Sequence, residues 1–184
     1  MILGVTGTDG AGKGTVVDYL VQVKGFIHYS ASNFIAKEVA RQGLRITRNQ
    51  LRLTGNELRA KHGDDVLVAM TLKQIDTHGK NNVIIESIRA TAEANTLKQS
   101  GGILLAVDAD QHLRYKRVQM RRSEKDQVTL EEFLAHEELE QNDPDPHGMQ
   151  KAAVMKMSDF IIKNDGSLEE LHTQIEEFLT QYDI

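Results

Sequence analysis

The sequence predicts an α/β protein, a doubly wound three-layer α/β/α sandwich built on a five-stranded parallel sheet. Short apolar or β-branched runs of strand length alternate along the chain with segments of helical spacing. Each run is continuously apolar rather than alternating, as in a sheet that helices cover on both faces. A length of 184 residues, 40% of them hydrophobic, fits one domain with a proper core.

The elements can be placed by these patterns. The predicted strands are the five apolar runs, at Met1–Thr6, Phe26–Tyr29, Val83–Glu86, Ile103–Asp108 and Phe160–Lys163. The predicted helices are eight segments with apolar residues at helical spacing, at Lys13–Val23, Ala31–Gln42, Thr47–His62, Asp64–His78, Thr91–Gln99, Asp110–Arg122, Thr129–Leu139 and Leu168–Tyr182.

Two polar stretches interrupt the second half of the chain. One covers residues 121–126, and the other covers 141–148 and holds the chain's only two prolines, Pro144 and Pro146. The proline stretch predicts an exposed, mobile connection between two helices. Together the stretches bracket a short helix, so we expect a helical lid at about 121–148 that opens and closes over a ligand.

Composition excludes several classes of function. The net charge of −5, with both signs mixed along the chain, provides no broad basic face and therefore predicts no nucleic-acid partner. The absence of cysteine excludes disulfides, thiolate zinc sites and a cysteine nucleophile. The apolar start of the chain stops after six residues, too short for a signal peptide or membrane span. We expect a cytoplasmic monomer or homodimer without a membrane partner.

A phosphate-binding loop is the clearest chemical signal. It reads Gly7-Thr8-Asp9-Gly10-Ala11-Gly12-Lys13-Gly14-Thr15, follows a predicted strand and opens an amphipathic helix. Glycines let successive backbone N–H groups point at phosphate oxygens, and Lys13 neutralises the transferring phosphoryl group. A hydroxyl at the helix start ligates Mg²⁺, a role assigned to Thr15 with Thr8 as the alternative. The competing interpretation is a chance glycine-rich turn, which the strand and helix on either side disfavour.

The ending Gly-Lys-Gly-Thr resembles the nucleoside monophosphate kinase family, in which glycine separates the lysine from the threonine. Residues 83–89 and 113–122 are similar to that family's acidic strand end and to its arginine-bearing entry into the lid. Residues 158–171 resemble the C-terminal strand, adenine-side loop and last helix of dephospho-coenzyme A kinases and of uncharacterised archaeal nucleotide-kinase-like proteins. The resemblance implies a P-loop NTPase fold, ATP and Mg²⁺ as cofactors, and an acceptor-binding helical insertion at about 31–79.

Charged residues at predicted strand and helix ends complete the candidate site. Glu86 ends a buried strand where ligands bind in open α/β sheets, so it is a candidate to hold Mg²⁺ or orient the acceptor. Arg89 is a candidate clamp for an acceptor phosphate, and Arg117 and Arg121 are candidates to stabilise charge from the lid. A solvated surface charge is the alternative for each of them. Asn164 and Gly166 follow the last strand and either flank the adenine ring or simply form a turn.

The segment after the second strand bears on the acceptor. An alcohol acceptor needs a general base, whereas a phosphate is already a nucleophile, and residues 28–33 contain no carboxylate. A phosphate acceptor is therefore favoured. Asn33 and Ala36 stand where the resembled family has aspartate and arginine, so other cations would be needed, with the candidates being Lys37, Arg41, Arg45, Arg48, Arg52 and Arg59. The histidines, including His28, show no metal-binding spacing and read as ordinary polar residues.

The sequence therefore predicts an ATP- and Mg²⁺-dependent kinase that moves the γ-phosphoryl group to a small nucleotide acceptor, a ribo- or deoxynucleoside monophosphate. One alternative is a dephospho-coenzyme A kinase-like enzyme, suggested by residues 158–171. Another is a regulatory switch with weak ATPase activity, in which a protein partner reads the position of the lid.

Overall fold

A parallel sheet forms the centre of the molecule. The structure, a computed structural model, describes residues 1–78, 82–121 and 128–183. Within these ranges the sheet has five parallel strands in the order β2-β3-β1-β4-β5. They are β1 (Ile2–Gly7), β2 (Ile27–Ser30), β3 (Val83–Glu86), β4 (Ile103–Asp108) and β5 (Phe160–Lys163). The predicted five-stranded parallel sheet is confirmed, with β1 and β2 each displaced by one residue.

Helices connect all the strands and follow the prediction closely. They are α1 (Lys13–Lys24), α2 (Ala31–Arg41), α3 (Arg48–His62), α4 (Val66–His78), α5 (Thr91–Gln99), α6 (Gln111–Met120), α7 (Leu130–Gln141), α8 (Lys151–Lys156) and α9 (Leu168–Gln181). Many begin at a side chain that caps the first turn, such as Ser30, Thr47 and Ser167. Helix α8 was not predicted, because six residues are too few to show a helical period.

The core lies on both faces of the sheet. On one face, α1 and α9 bury Val16, Leu20, Ile175 and Phe178 against the strands. On the other face, α4, α5 and α8 contribute Val68, Ala94, Leu97 and Val154. This arrangement confirms the doubly wound three-layer sandwich. In the part of the chain that the structure describes, no helix is long and apolar enough to cross a membrane.

Helices α2, α3 and α4 lie between β2 and β3 in the chain and share a small core of their own. Ala31, Ile35 and Val39 of α2 pack there against Val66 and Leu67 of α4. The buried residues of α3, in contrast, are mostly polar: Thr54, Gly55, Asn56 and Arg59. Residues 31–78 cover the segment predicted as an insertion, whose last residue lies outside the described ranges. Its binding of an acceptor stays a prediction.

The proline stretch at 141–148 is folded against the insertion. Asp143 and Gly148 are buried, so the prediction of an exposed connection is wrong at these positions. The carboxylate of Asp143 accepts hydrogen bonds from Arg52 and Asn56 of α3, which replace water around it. Residues 122–127 of the predicted lid lie outside the described ranges, and lid closure stays a prediction.

The edge strand β5 is covered by a side chain of α9. The amide nitrogen of Gln174 donates to the backbone carbonyl of Lys163 at 2.9 Å, and the Lys163 N–H donates to the Gln174 amide oxygen at 3.0 Å. One side chain thereby satisfies both polar groups of an edge peptide, as a further strand would.

Candidate active site

The glycine-rich loop winds tightly between β1 and α1. Gly7, Gly10 and Gly12 all have positive φ, at 136°, 84° and 98°. A Cβ on Gly10 would lie 2.4 Å from the backbone oxygen of Arg114, and one on Gly12 would lie 2.3 Å from Nδ2 of Asn164. No side chain caps the start of α1, and its first turn holds no acid. The first N–H groups of α1 are thus open to a phosphate, so the loop fits the phosphates of ATP.

Lys13 is folded back onto this loop. Its Nζ donates to the backbone oxygens of Gly7 at 2.9 Å and Thr8 at 2.8 Å. Burial lowers the pKa of Lys13 to about 8, although the Asp9 carboxylate, 3.8 Å from Nζ, acts in the opposite direction. The ammonium group is therefore poorly solvated and favours an anionic ligand such as a phosphate.

Asp9 joins the loop to two distant helices. Its carboxylate lies 2.5 Å from Nη1 of Arg48 on α3 and 3.4 Å from Nζ of Lys151 on α8. Burial disfavours the charged carboxylate, but Lys151, Lys13, Arg89 and Arg48 together hold the pKa of Asp9 well below its usual value. Asp9 was predicted among the nucleotide-binding residues. Its carboxylate serves as the centre of a cluster of cations.

Glu86 lies beside the loop because β3 and β1 are neighbours, with Glu86 in register with Val5. Its Oε2 lies 3.1 Å from Nε2 of His28, on the adjacent strand β2. Burial raises the pKa of Glu86, but His28, Lys13 and Arg89 together hold it below its usual value, so the carboxyl is ionised at neutral pH. His28, interpreted above as an ordinary polar residue, is thus paired with a predicted site residue.

The turn after β3 holds Ser87 in a strained conformation. Its φ is 73°, in the left-handed region that favours glycine, while its N–H donates to the backbone oxygen of Val5 at 3.0 Å. The turn points Arg89 towards Glu140 of α7, with Nη1 3.5 Å from Oε1. Burial acts against the charge of Arg89, but Glu140 and Asp9 raise its pKa above the usual value.

Relieving the strain at Ser87 gives a first prediction. Ser87→Gly is expected to raise the free energy of unfolding by about 1 kcal/mol, because glycine adopts φ near 73° without steric cost. Urea unfolding measures this change. Ser87→Ala removes the hydroxyl but keeps the Cβ, so it serves as the control and is expected to gain nothing. Equal stability of the glycine and alanine variants would contradict a strained turn.

A chamber of about 490 Å³ connects the glycine-rich loop with the insertion. Nine predicted site residues line it: Asp9, Gly10, Gly12, Lys13, Gly14, Thr15, Glu86, Arg89 and Arg121. It is also lined by residues of α2 and α3, among them Asn33, Arg48, Arg52 and Arg59. One cavity therefore contains both a phosphate loop and several arginines.

Five predicted site residues do not line this chamber: Gly7, Ala11, Arg117, Asn164 and Gly166. Asn164 lies behind the loop, where its Nδ2 donates to the backbone oxygen of Ala11 at 2.7 Å. Arg117 in turn donates to the backbone oxygen of Asn164 at 2.8 Å. These contacts hold the loop and the 164–166 turn together, while contact of these residues with adenine or phosphate stays a prediction.

For several residues of the chamber, the sequence either left the role open or did not indicate one. Of the six replacement cations, Arg48, Arg52 and Arg59 line the chamber and Lys37, Arg41 and Arg45 do not. The spacing of four and seven residues between the three arginines places them on one face of α3, a signal that separates them from the others. Nothing local identified the carboxylates behind the arginines (Glu93, Glu140 and Asp143) or the buried Lys151.

A magnesium site would need ligands from the nucleotide or water. Among the described residues, no group of three or more histidine, aspartate or glutamate side chains is placed to hold a metal. Thr15 and Glu86, the predicted ligands, both line the chamber. Mg²⁺ commonly binds one or two protein oxygens and completes its shell with water and phosphate, so these two residues fit the ion.

A comparison with protein-family models identifies the family. The model described as an AAA domain matches residues 3–143, which include the loop, the insertion and all of α7. The chain belongs to this AAA domain family.

Curated relatives of this AAA domain extend over nearly the whole chain. The UPF0200 protein of Hyperthermus butylicus is 26% identical over 182 residues, covering 98% of this chain and 94% of the relative. The UPF0200 protein of Methanococcus vannielii is 26% identical over 189 residues, covering 99% of this chain and 98% of the relative. Their names state no activity.

Solved structures confirm the fold of the AAA domain. TT1252 from Thermus thermophilus matches with a TM-score of 0.63 at 22% identity, covering 98% of this chain and 97% of that one. A shikimate kinase from Bacteroides thetaiotaomicron matches with a TM-score of 0.61 at 12% identity, covering 100% and 99%. A gluconokinase from Sinorhizobium meliloti gives a TM-score of 0.61 at 12% identity, covering 98% and 91%. The fold is therefore that of a P-loop kinase-like protein.

The lowered pKa of Lys13 predicts a pH dependence of ATP binding by this AAA domain. ATP is expected to bind more weakly as the pH rises through about 8, because the ammonium group loses its proton there and its attraction for phosphate. Calorimetric titration with ATP between pH 6.5 and 9.5 measures the effect. Lys13→Met is the control, with weaker binding that does not change over this range. A flat profile for the unmodified protein would contradict the assignment.

Proposed function

We propose that the protein is an ATP- and Mg²⁺-dependent phosphotransferase that moves the γ-phosphoryl group of ATP to a ribo- or deoxynucleoside monophosphate. The observation that carries the proposal is the single chamber. Lys13, Thr15, Arg52, Arg59 and Arg89 all line it. Phosphoryl transfer needs both reactants in line within one cavity, with cations around the charge that develops.

Each group of residues lining the chamber has a defined role in phosphoryl transfer. The backbone N–H groups of the glycine-rich loop bind the phosphates of ATP, and Lys13 neutralises the charge of the transferring phosphoryl group in the transition state. Thr15 and Glu86 would hold Mg²⁺, which would neutralise phosphate charge when bound. The arginines bind the acceptor phosphate as paired N–H donors. An acceptor phosphate is already anionic, so no general base is required.

The names of the fold neighbours support kinase chemistry on a small acceptor. One is a shikimate kinase and another a gluconokinase. Identities of 12% carry no information about which acceptor this chain uses. The acceptor assignment rests instead on the arginine-rich wall, which suits a phosphate.

A hydroxyl acceptor, as in a dephospho-coenzyme A kinase-like enzyme, is favoured by one observation. The Glu86 carboxylate lines the chamber and is hydrogen-bonded to His28, a pair able to accept a proton from an alcohol. In that mechanism Glu86 acts as a base rather than as a metal ligand.

A coupled ADP-release assay tests the proposal. ATP and Mg²⁺ are combined with every ribo- and deoxynucleoside monophosphate, with dephospho-coenzyme A, and with shikimate and gluconate. Rapid turnover with a monophosphate is expected. Turnover with only the hydroxyl acceptors would overturn the acceptor class and leave the kinase assignment standing. A flat panel over slow ATP hydrolysis would overturn both and favour an ATP-driven switch.

A further inference from the structure

Three arginines that line the chamber, Arg52, Arg59 and Arg89, are each paired with a separate carboxylate. Arg59 donates through Nε to Oε1 of Glu93 at 3.0 Å. Arg52 donates through Nη1 to Oδ2 of Asp143 at 2.9 Å. Nη1 of Arg89 lies 3.5 Å from Oε1 of Glu140. The three arginines come from α3 and the β3 turn, and the three carboxylates come from α5, the end of α7 and the proline stretch.

These carboxylates are buried away from solvent. The side chains of Glu93 and Asp143 are 0% exposed, and that of Glu140 is 11% exposed. Each is also held in place by other donors. Glu93 accepts the backbone N–H groups of Arg89 at 2.8 Å and Ala90 at 3.0 Å, and Glu140 accepts from Nζ of Lys151 at 2.6 Å. A buried carboxylate with several fixed donors is a rigid support for a long arginine side chain.

All three arginines line the chamber. The side chain of Arg59 is only 2% exposed, and those of Arg52 and Arg89 are 19% and 24% exposed. The chamber lining contains no aromatic side chain in the described ranges, so charge rather than stacking dominates recognition there.

We infer that Glu93, Asp143 and Glu140 are positioning residues that fix Arg52, Arg59 and Arg89 as a preformed receptor for the phosphate of the acceptor. This inference rests on the proposed function. Buried ion pairs add little to stability compared with well-packed apolar residues, so their grouping behind one wall of the chamber points to a role in binding. Fixing the guanidinium groups during folding removes an ordering cost that acceptor binding would otherwise carry.

The test separates acceptor binding from ATP binding. Glu93→Gln and Asp143→Asn keep the shape and an accepting oxygen but remove the charge that holds the arginine. Each variant is expected to raise KM for the acceptor roughly tenfold, with KM for ATP unchanged within about twofold. Glu138→Gln is the matched control, because Glu138 is exposed and lies on the same helix as Glu140. The control is expected to leave both constants unchanged.

Double variants strengthen the test. If Asp143 acts through Arg52, Asp143→Asn has little further effect on acceptor KM in an Arg52→Lys background, so the two changes are not additive. A purely structural role would lower the melting temperature and shift both KM values together. Equal shifts in both KM values, or an unchanged acceptor KM, would overturn the inference.

Failure of the proposed function has a separate signature. If the unmodified protein transfers phosphate to no acceptor, titration with inorganic phosphate in the presence of saturating ADP replaces the kinetic assay. Weaker phosphate binding by Glu93→Gln and Asp143→Asn than by Glu138→Gln would still support the receptor. Equal phosphate binding by all three variants and the unmodified protein would overturn it.

Discussion

Lys13→Met is expected to abolish phosphoryl transfer and to leave the fold intact. The ammonium group of Lys13 lies at the phosphate loop, and removing such a charge from the transition state costs about a thousandfold or more in kcat. Methionine has a similar length and no charge, so the loop keeps its packing. The coupled ADP-release assay measures the loss. Turnover within about tenfold of the unmodified protein would refute the assignment of the phosphate loop.

The same variant is expected to be more stable at neutral pH. Burial lowers the pKa of Lys13 from 10.5 to about 8, which corresponds to a cost of about 3 kcal/mol for keeping the charge. The loss of two hydrogen bonds to backbone oxygens, each worth about 1 kcal/mol, offsets part of this gain. A net increase of about 1 kcal/mol in the free energy of unfolding at pH 7 follows, measurable by urea unfolding.

The sign of the pH dependence gives an internal control. Between pH 8 and 10.5 the unfolded chain binds a proton at Lys13 that the folded chain does not bind. The Lys13 contribution to the free energy of unfolding therefore rises with pH across this window and is constant below it. Lys13→Met lacks that contribution. The stability difference between the two proteins is thus expected to shrink and then reverse as the pH increases.

Gly10→Ala is expected to destabilise the protein strongly. The new Cβ would meet the oxygen, carbon and Cα of Arg114 at 2.4, 2.9 and 3.0 Å, all backbone atoms that cannot rotate away. The φ of 84° adds strain for any residue with a Cβ. We expect a loss of about 2–4 kcal/mol in the free energy of unfolding, and no measurable ATP binding.

Gly14→Ala is the matched control for stability. It lies in the first turn of α1, and a Cβ there would meet no heavy atom within 4 Å. Alanine favours the helix over glycine, so the variant is expected to gain up to about 1 kcal/mol. Urea unfolding of the two variants in parallel checks both values. Equal stabilities would mean that the tight path of the loop is not required.

The sequence was sufficient for features that depend on local spacing. The strand–loop–helix order around Gly7 and Lys13 predicted the phosphate loop, because glycine positions and helical periodicity are both visible within a dozen residues. All five strands were found for the same reason. The ends of the strands were predicted less accurately. At β2, for example, the strand begins at Ile27 rather than Phe26.

What the sequence could not predict depends on contacts between distant residues. Lys151 lies 142 residues from Asp9, and Asp143 lies 91 residues from Arg52, so no pattern along the chain connects them. The polar composition of 141–148 was correctly identified, but burial of Asp143 follows from cations supplied by α3. Polar residues indicate exposure only where no partner replaces the water.

The cover that Gln174 places on Lys163 restricts how two copies of this chain can associate. Dimers that continue one sheet across two subunits need unpaired backbone groups along an edge strand. At Lys163 those groups are already hydrogen-bonded to a side chain of the same subunit. Joining two β5 strands there would first require breaking both bonds, so a homodimer of this protein is better served by contacts between helices than by sheet extension.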